Sequence, residues 1–155
     1  EDFDWVTDVN LKGTFLCIQS YINLFDKYKL TKGAVVNIAS MYGVISPDFR
    51  IYTDCARKNS EVYGASKAGI IQMSRYFGVH LAARNIRVNA VSPGGIYNPA
   101  NPQGEDFVKN YSNRCPTGRM ADAKEMIGAV LYLSSDASTY TTGHNIVVDG
   151  GMSCW

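Results

Sequence analysis

The sequence lacks the features that mark membrane-spanning, nucleic-acid-binding and zinc-binding chains. No apolar run approaches the roughly 18 residues of a membrane-spanning helix. The net charge of +1 gives no reason to expect electrostatic binding to nucleic acid or to an anionic membrane. The four cysteines form no Cys-x-x-Cys pair, which argues against structural zinc and favours reduced thiols; they are Cys17, Cys55, Cys115 and Cys154. We therefore expect a cytoplasmic protein with no membrane, nucleic-acid or metal partner.

A glycine-rich phosphate loop is also missing. No Gly-x-Gly-x-x-Gly pattern, whose backbone cradles a pyrophosphate, lies between a strand and a helix. The first residues, Glu1 to Trp5, are acidic and do not resemble a signal peptide. With 155 residues, 46% hydrophobic and 19% charged, the chain has the composition of one globular domain with a substantial core.

The order of hydrophobic patterns predicts alternating helices and strands. Short β-branched runs are typical of strands that are covered on both faces, as in a parallel sheet. Helices are predicted for Trp5–Asp26, Tyr63–Ala83 and Asp122–Ser135, and strands for Ala34–Ala39, Ile86–Ser92 and Ile146–Val148. Such alternation predicts an α/β fold with three parallel strands and helices on both faces.

The most informative stretch contains Tyr63 and Lys67, which are four positions apart on a predicted helix. Residues at this spacing share one helix face. An ammonium group stabilises a nearby phenolate, so such a pair can exchange a proton with a hydroxyl or carbonyl oxygen near neutral pH. The small residues around the pair leave room for something bulky: Gly64, Ala65, Ser66, Ala68 and Gly69. An ordinary surface pair has the same spacing.

In combination with four further segments, this stretch resembles the short-chain dehydrogenase/reductase family. The matching segments follow the family's order over nearly the whole chain: Asn10–Phe15, Val36–Ser40, Tyr63–Lys67, Arg87–Gly94 and Gly143–Gly151. The resemblance implies the C-terminal portion of a doubly wound, parallel-sheet Rossmann fold. The family's Gly-rich βαβ unit is not among these residues. We therefore expect residues 1–155 to form a single partial domain, the C-terminal half of a family member.

The resemblance also implies roles for four residues. Tyr63 would be the general acid or base, and Lys67 would favour its phenolate and hold the nicotinamide ribose. Ser40 would donate a hydrogen bond to the reacting oxygen of the substrate. The backbone of Asn10 would hold a water molecule in a proton relay. From the residues alone, Asn10 also fits a helix cap and Ser40 an ordinary turn.

The cofactor implied by the resemblance is NAD or NADP. Besides Tyr63 and Lys67, the expected contacts follow the second predicted strand, and they are Pro93, Gly94, Ile96 and Asn98. The family usually has threonine where Asn98 stands. An asparagine side chain can also hydrogen-bond the nicotinamide carboxamide.

Two variable segments flank the predicted site. The stretch between Ser40 and Tyr63 is longer than in the family pattern, and the extra residues fall between Ser46 and Ser60. Its cations are Arg50, Arg57 and Lys58, which either bind a phosphate or carboxylate of the substrate or are simply solvated. This segment is similar to those of family members that act in sugar-nucleotide pathways. Residues 98–119 correspond to the family's mobile lid.

The expected function is NAD(P)-dependent carbonyl reduction or alcohol oxidation on a small molecule, such as a sugar nucleotide or another small polar compound. Without a phosphate-binding half, we expect weak or no cofactor binding and no meaningful turnover by residues 1–155 alone. The uncovered edge of the Ala34–Ala39 strand predicts a homo-oligomer. The alternative function is that of a non-catalytic, self-associating fold fragment.

Overall fold

A computed structural model describes residues 3–53 and 59–155, with a three-stranded parallel sheet at the centre. The strands are β1 (Gly33–Ile38), β2 (Ile86–Pro93) and β3 (Asn145–Val148), in the order β1-β2-β3. Val35 pairs with Val88, and Val91 pairs with Ile146. The predicted strands are confirmed, with small differences at their ends. Glu1, Asp2 and residues 54–58, which include Cys55, Arg57 and Lys58, lie outside the described residues.

The helices include the three predicted regions, and the last of these begins with a 3₁₀ turn, Ala123–Met126, before its α-helical part. They are α1 (Phe3–Thr7), α2 (Gly13–Lys27), α3 (Glu61–His80), α4 (Glu105–Arg114) and α5 (Ile127–Ser134). A π turn, Asp8–Lys12, joins α1 to α2 within the single helix predicted there. Within the described ranges, no helix combines the length and the apolar character needed to cross a membrane.

Helices cover both faces of the sheet, as predicted. Neighbouring side chains of β2 point to opposite faces. Val88 belongs to a buried cluster with Ile18 of α2 and Phe77 of α3. Arg87, next to it, donates from its guanidinium to the Leu133 carbonyl oxygen of α5 at 2.8 Å. One face of the sheet therefore carries α2 and α3, and the other carries α5.

The outer edge of β1 has no strand partner among the described residues. The Asn37 amide donates to the Ser74 hydroxyl of α3 at 2.8 Å, so the neighbouring Ile38 points towards the face that carries α5. Ile38 is 50% exposed, and on α5 Ile127 is 52% and Leu131 is 60% exposed. Apolar surface is thus uncovered beside an open strand edge.

Two glycines give a matched test of how closely this fold is packed. An added Cβ at Gly78 of α3 would lie 2.5 Å from the backbone nitrogen of Gly143, whereas one at Gly128 of α5 would meet nothing within 4 Å. We expect Gly78→Ala to lower the free energy of unfolding by about 1–3 kcal/mol because of overpacking. Gly128→Ala should raise it by about 0.5–1 kcal/mol through helix propensity. Urea unfolding measures both, and a stabilising Gly78→Ala would contradict the packing described.

Candidate active site

The site is built around the first two turns of α3, where Tyr63 and Lys67 lie on one face. The Lys67 Nζ atom is 5.6 Å from the centroid of the Tyr63 ring. It donates a hydrogen bond to the carbonyl oxygen of Ile38, the last residue of β1, at 3.1 Å. Burial lowers the pKa of the Lys67 ammonium. The predicted proximity of the phenol and the ammonium is present in the structure.

Ser40 lies just beyond the carboxyl end of β1, at the start of a 3₁₀ turn, Met41–Gly43. It is buried, with 7% of its surface exposed. Its hydroxyl oxygen accepts a hydrogen bond from the backbone N–H of Tyr42 at 3.2 Å. In the part of the chain that the structure describes, this hydroxyl donates to no acceptor. Its hydrogen is therefore available to a substrate oxygen.

Glycines let the turn Met41–Gly43 approach the backbone of α3. An added Cβ at Gly43 would lie 2.7 Å from the carbonyl carbon of Lys67, and one at Gly64 would lie 2.9 Å from the carbonyl oxygen of Tyr42. The small residues near Tyr63 were predicted to leave room for something bulky. At Gly64 the space that a side chain would take is occupied by the backbone of Tyr42, not by a ligand.

Asn10 is held in the π turn and reaches the same part of α3. Its amide nitrogen donates to the Ser66 hydroxyl at 2.9 Å, and that hydroxyl donates to the Tyr63 carbonyl oxygen at 2.8 Å. The Asn10 carbonyl oxygen accepts the Thr14 hydroxyl at 2.6 Å. Asn10, Ser40, Tyr63 and Lys67 are thus brought together. The linking role of Ser66 was not predicted from the sequence, since a buried serine in a run of small residues gives no distinct signal.

The turn after β2 ends at the same edge of the sheet. The Gly94 N–H donates to the Val148 carbonyl oxygen at 2.9 Å, which joins the turn to β3. Ile96 forms an isolated parallel bridge with Ala121. Asn98 lies beyond this bridge in an exposed loop, where its side-chain oxygen accepts the Ala100 N–H at 3.1 Å. Pro93, Gly94 and Ile96 are therefore fixed by the sheet, whereas Asn98 is not.

The inserted segment carries an internal ion pair. Asp48 caps the 3₁₀ turn Phe49–Ile51, and the guanidinium of Arg50 lies 2.8 Å from its carboxylate. This hydrogen-bonded pairing lowers the pKa of Asp48 to about 2. The same carboxylate lies 3.5 Å from the Arg114 guanidinium, so two cations share one anion. The anion-binding hypothesis stays a prediction for Arg50, and also for Arg57 and Lys58, which lie outside the described residues.

A group of tyrosines between the inserted segment and α4 was not anticipated from the sequence. The hydroxyls of Tyr42 and Tyr52 are 3.3 Å apart. The Tyr111 hydroxyl accepts the Gly95 N–H at 2.7 Å, and burial raises the pKa of Tyr111 to about 12. The ring centroids of Tyr52 and Phe107 are 5.2 Å apart. These contacts hold α4, in the predicted lid, against the insertion, and only the tertiary fold reveals them.

Comparison with known proteins identifies the family to which this chain belongs. The family model described as enoyl-(acyl carrier protein) reductase matches residues 1–153. The D-arabinitol 2-dehydrogenase (ribulose-forming) of Candida tropicalis is 39% identical over 155 residues. The 3-oxoacyl-(acyl carrier protein) reductase of Thermotoga maritima is 39% identical over 153 residues. The chain belongs to the short-chain dehydrogenase/reductase family.

Solved structures of family members carry nicotinamide cofactors. The short-chain dehydrogenase of Leptospira borgpetersenii, solved with bound NAD+, is 42% identical and superposes with a TM-score of 0.88 over 97% of this chain and 56% of that one. The gluconate 5-dehydrogenase of Burkholderia cenocepacia, in complex with NADP and tartrate, is 25% identical with a TM-score of 0.83, over 99% and 57% of the two chains. Proteins of this fold have thus been solved with NAD+ and with NADP bound.

The match covers only part of each relative. The chain aligns over 97% of its own length with the C. tropicalis enzyme but over 52% of that enzyme. For the T. maritima reductase the shares are 98% and 57%. The chain spans about half the length of the curated relatives it matches, as the missing Gly-rich segment had indicated.

Proposed function

We propose that this chain supplies the proton-transferring and substrate-binding part of an NAD(P)-dependent oxidoreductase that interconverts a carbonyl and an alcohol. The observation that carries the proposal is the gathering of Asn10, Ser40, Tyr63 and Lys67 around the first turns of α3. The activities of the family's named members support oxidoreductase chemistry. In this proposal, residues 1–155 form one partial domain.

Each of the four residues has a proposed task in proton transfer. During reduction, the Tyr63 phenol gives its proton to the carbonyl oxygen, and during oxidation the phenolate removes a proton from the alcohol. The Lys67 ammonium favours the phenolate. The Ser40 hydroxyl donates a hydrogen bond to the same oxygen. The backbone of Asn10 holds a water molecule that replenishes the proton.

The donors on this chain suit the nicotinamide end of a dinucleotide. An ammonium carries three N–H donors, and Lys67 uses one of them on Ile38, which leaves donors for a ribose hydroxyl. The Asn98 side-chain oxygen is engaged, but its NH₂ group remains for a carboxamide oxygen. When bound, the cofactor supplies or accepts the hydride. The residues proposed to hold it are Tyr63, Lys67, Pro93, Gly94, Ile96 and Asn98.

The proposed function is tested by restoring a cofactor-binding half. We would place the N-terminal half of the L. borgpetersenii dehydrogenase before this chain and follow NADH oxidation with D-ribulose and other small ketones. The fused protein should turn over, and Tyr63→Phe should lower kcat by about a hundredfold or more, because the proton donor is lost. D-Ribulose is the first substrate to try because a relative is named ribulose-forming.

A second tyrosine on the same helix provides the control. Tyr76 is 62% exposed, and Tyr76→Phe should leave kcat unchanged. Circular dichroism establishes that both variants are folded. The proposal fails if Tyr63→Phe keeps the wild-type rate, or if the fused protein binds NADH and reduces none of the ketones.

We also propose that the chain self-associates through the open edge of β1. Unpaired backbone groups and the exposed side chain of Ile38 are features that favour pairing with a second chain. Light scattering after size exclusion should give at least twice the mass of one chain. Ile38→Lys should reduce the mass to that of a monomer, since a charge on an edge strand opposes pairing.

Val79 on α3 offers the matched control, because it is 80% exposed and lies away from β1. Val79→Lys should leave the mass unchanged. Loss of association with Val79→Lys but not with Ile38→Lys would place the interface on the helices. A clean monomer of the unmodified chain would rule out self-association.

A further inference from the structure

Arg114, the last residue of α4, is joined to Trp155 by contacts in both directions. Its guanidinium donates to the backbone oxygen of Trp155 at 2.9 Å, and the indole N–H of Trp155 donates to the Arg114 carbonyl oxygen at 3.2 Å. The guanidinium carbon also lies 5.6 Å from the centroid of the Trp155 ring, within the range of a cation–π interaction. These three contacts fasten the end of α4 to the segment that follows β3.

The segment after β3 is itself firmly anchored. The Asp149 carboxylate accepts the backbone N–H of Gly151 at 2.9 Å and that of Ser153 at 2.8 Å. Between them, Met152 is buried, with 5% of its surface exposed. Trp155 therefore extends from a fixed base, against which α4 is held.

The same guanidinium reaches the inserted segment. Its Nε atom lies 3.5 Å from the Asp48 carboxylate, which also pairs with Arg50 at 2.8 Å. The Arg114 side chain is 28% exposed, whereas that of Arg50 is 86% exposed, so solvent and salt screen the contact of Arg114 less. Arg114 thus links three separate segments, which are α4, the insertion and the residues after β3.

The helix α4 has little of its own to hold it in place. Gly104 at its N-cap supplies no side-chain hydrogen bond, and of its 10 residues, all of which the structure describes, Tyr111 alone is buried. Isolated helices shorter than about 12 residues are marginally stable in water. Elements of low local stability open before the rest of a fold does. The contacts that α4 makes with the insertion and with Trp155 therefore set how often it opens.

In its observed position, α4 covers the residue next to Ser40. The Tyr111 hydroxyl accepts the Gly95 N–H at 2.7 Å and donates to the sulfur of Met41 at 3.9 Å. Met41 is 3% exposed, and Ser40 itself is 7% exposed. A molecule that is to contact the Ser40 hydroxyl gains room when Tyr111 moves away with α4.

We propose that Arg114 is a latch that holds α4, the insertion and Trp155 together beside Ser40, and that its release admits molecules to the candidate site. Breaking its contacts frees α4, Tyr111 leaves Met41, and the Ser40 hydroxyl becomes accessible. Arg114 contacts no reacting atom in this proposal and is a positioning residue. The inference goes beyond the proposed function, since it concerns access to Ser40 whichever reaction follows there.

Thiol labelling of the 155-residue chain with iodoacetamide tests the latch. Cys115, which follows Arg114, is 4% exposed, so the reagent reaches it when α4 opens. Ser40→Cys places a further thiol in the site itself, and mass spectrometry of peptides distinguishes both positions from the exposed Cys17 and Cys154. Arg114→Ala should speed labelling at both positions by roughly three- to thirtyfold, because a cation–π contact and a partly exposed ion pair are lost.

A second variant and a matched control accompany this measurement. Trp155→Ala should give a smaller increase at both positions, and because Trp155 is 69% exposed its loss leaves the fold intact. The double variant should label no faster than Arg114→Ala, since both changes break one unit. Arg84 also pairs with a carboxylate, that of Asp26, and its guanidinium lies 5.5 Å from the centroid of the Phe25 ring. Arg84→Ala, near the amino end of β2, should leave both rates unchanged.

Three outcomes overturn the proposal. One is that Arg114→Ala changes neither labelling rate. Another is faster labelling of Cys115 without faster labelling at Ser40→Cys, because Arg114 would then hold α4 without controlling access to the site. The third is faster hydrogen exchange of the β2 amides in both Arg114→Ala and Trp155→Ala, which would mean that the whole fold loosens. None of them affects the proposed function, which turnover by the fused protein decides by itself.

Discussion

The close contact between two stretches of backbone, the turn Met41–Gly43 and the first turns of α3, holds the candidate site together. An added Cβ at Gly43 would lie 2.7 Å from the backbone of Lys67, so no larger residue fits without displacing the helix. Because Ser40 precedes this turn and Tyr63 begins the helix, the contact fixes the serine hydroxyl relative to the phenol. Protein backbones are stiffer than side chains, so the arrangement is set before any ligand binds.

A second consequence of the fold links the open edge of the sheet to the site. The Ala39 N–H donates to Val91 of β2, so the neighbouring Ile38 carbonyl points away from β2, towards the open edge. Lys67 donates to this carbonyl oxygen. A chain that paired with the β1 edge would therefore approach the backbone group that orients the Lys67 ammonium. The proposed self-association at β1 would therefore act on the geometry of the candidate site.

Regular periodicity made most of the fold predictable from the sequence. The β-branched run from Val35 to Ile38 predicted β1, and the apolar pattern of residues 63–83 predicted α3. Asp122 with Glu125 forms a capping box at the start of the last predicted helix. The spacing of Tyr63 and Lys67 predicted their proximity because it depends on helix geometry alone. The π turn at Asp8–Lys12 was not predictable, since it changes the hydrogen-bond register without a distinctive residue. The Tyr42–Tyr52 pair joins separate segments, and its geometry depends on how α4 packs.

The central claim is that this chain carries proton-transferring residues but no pyrophosphate-binding loop. The most direct measurement is a titration of the purified 155-residue chain with NADH and NADPH, followed by nicotinamide fluorescence, with the fused protein as the positive control. The account predicts no saturable binding up to millimolar cofactor for the chain alone and saturation for the fused protein. Saturable micromolar binding by the chain alone would contradict it, because a site assembled from these residues would then replace the missing loop.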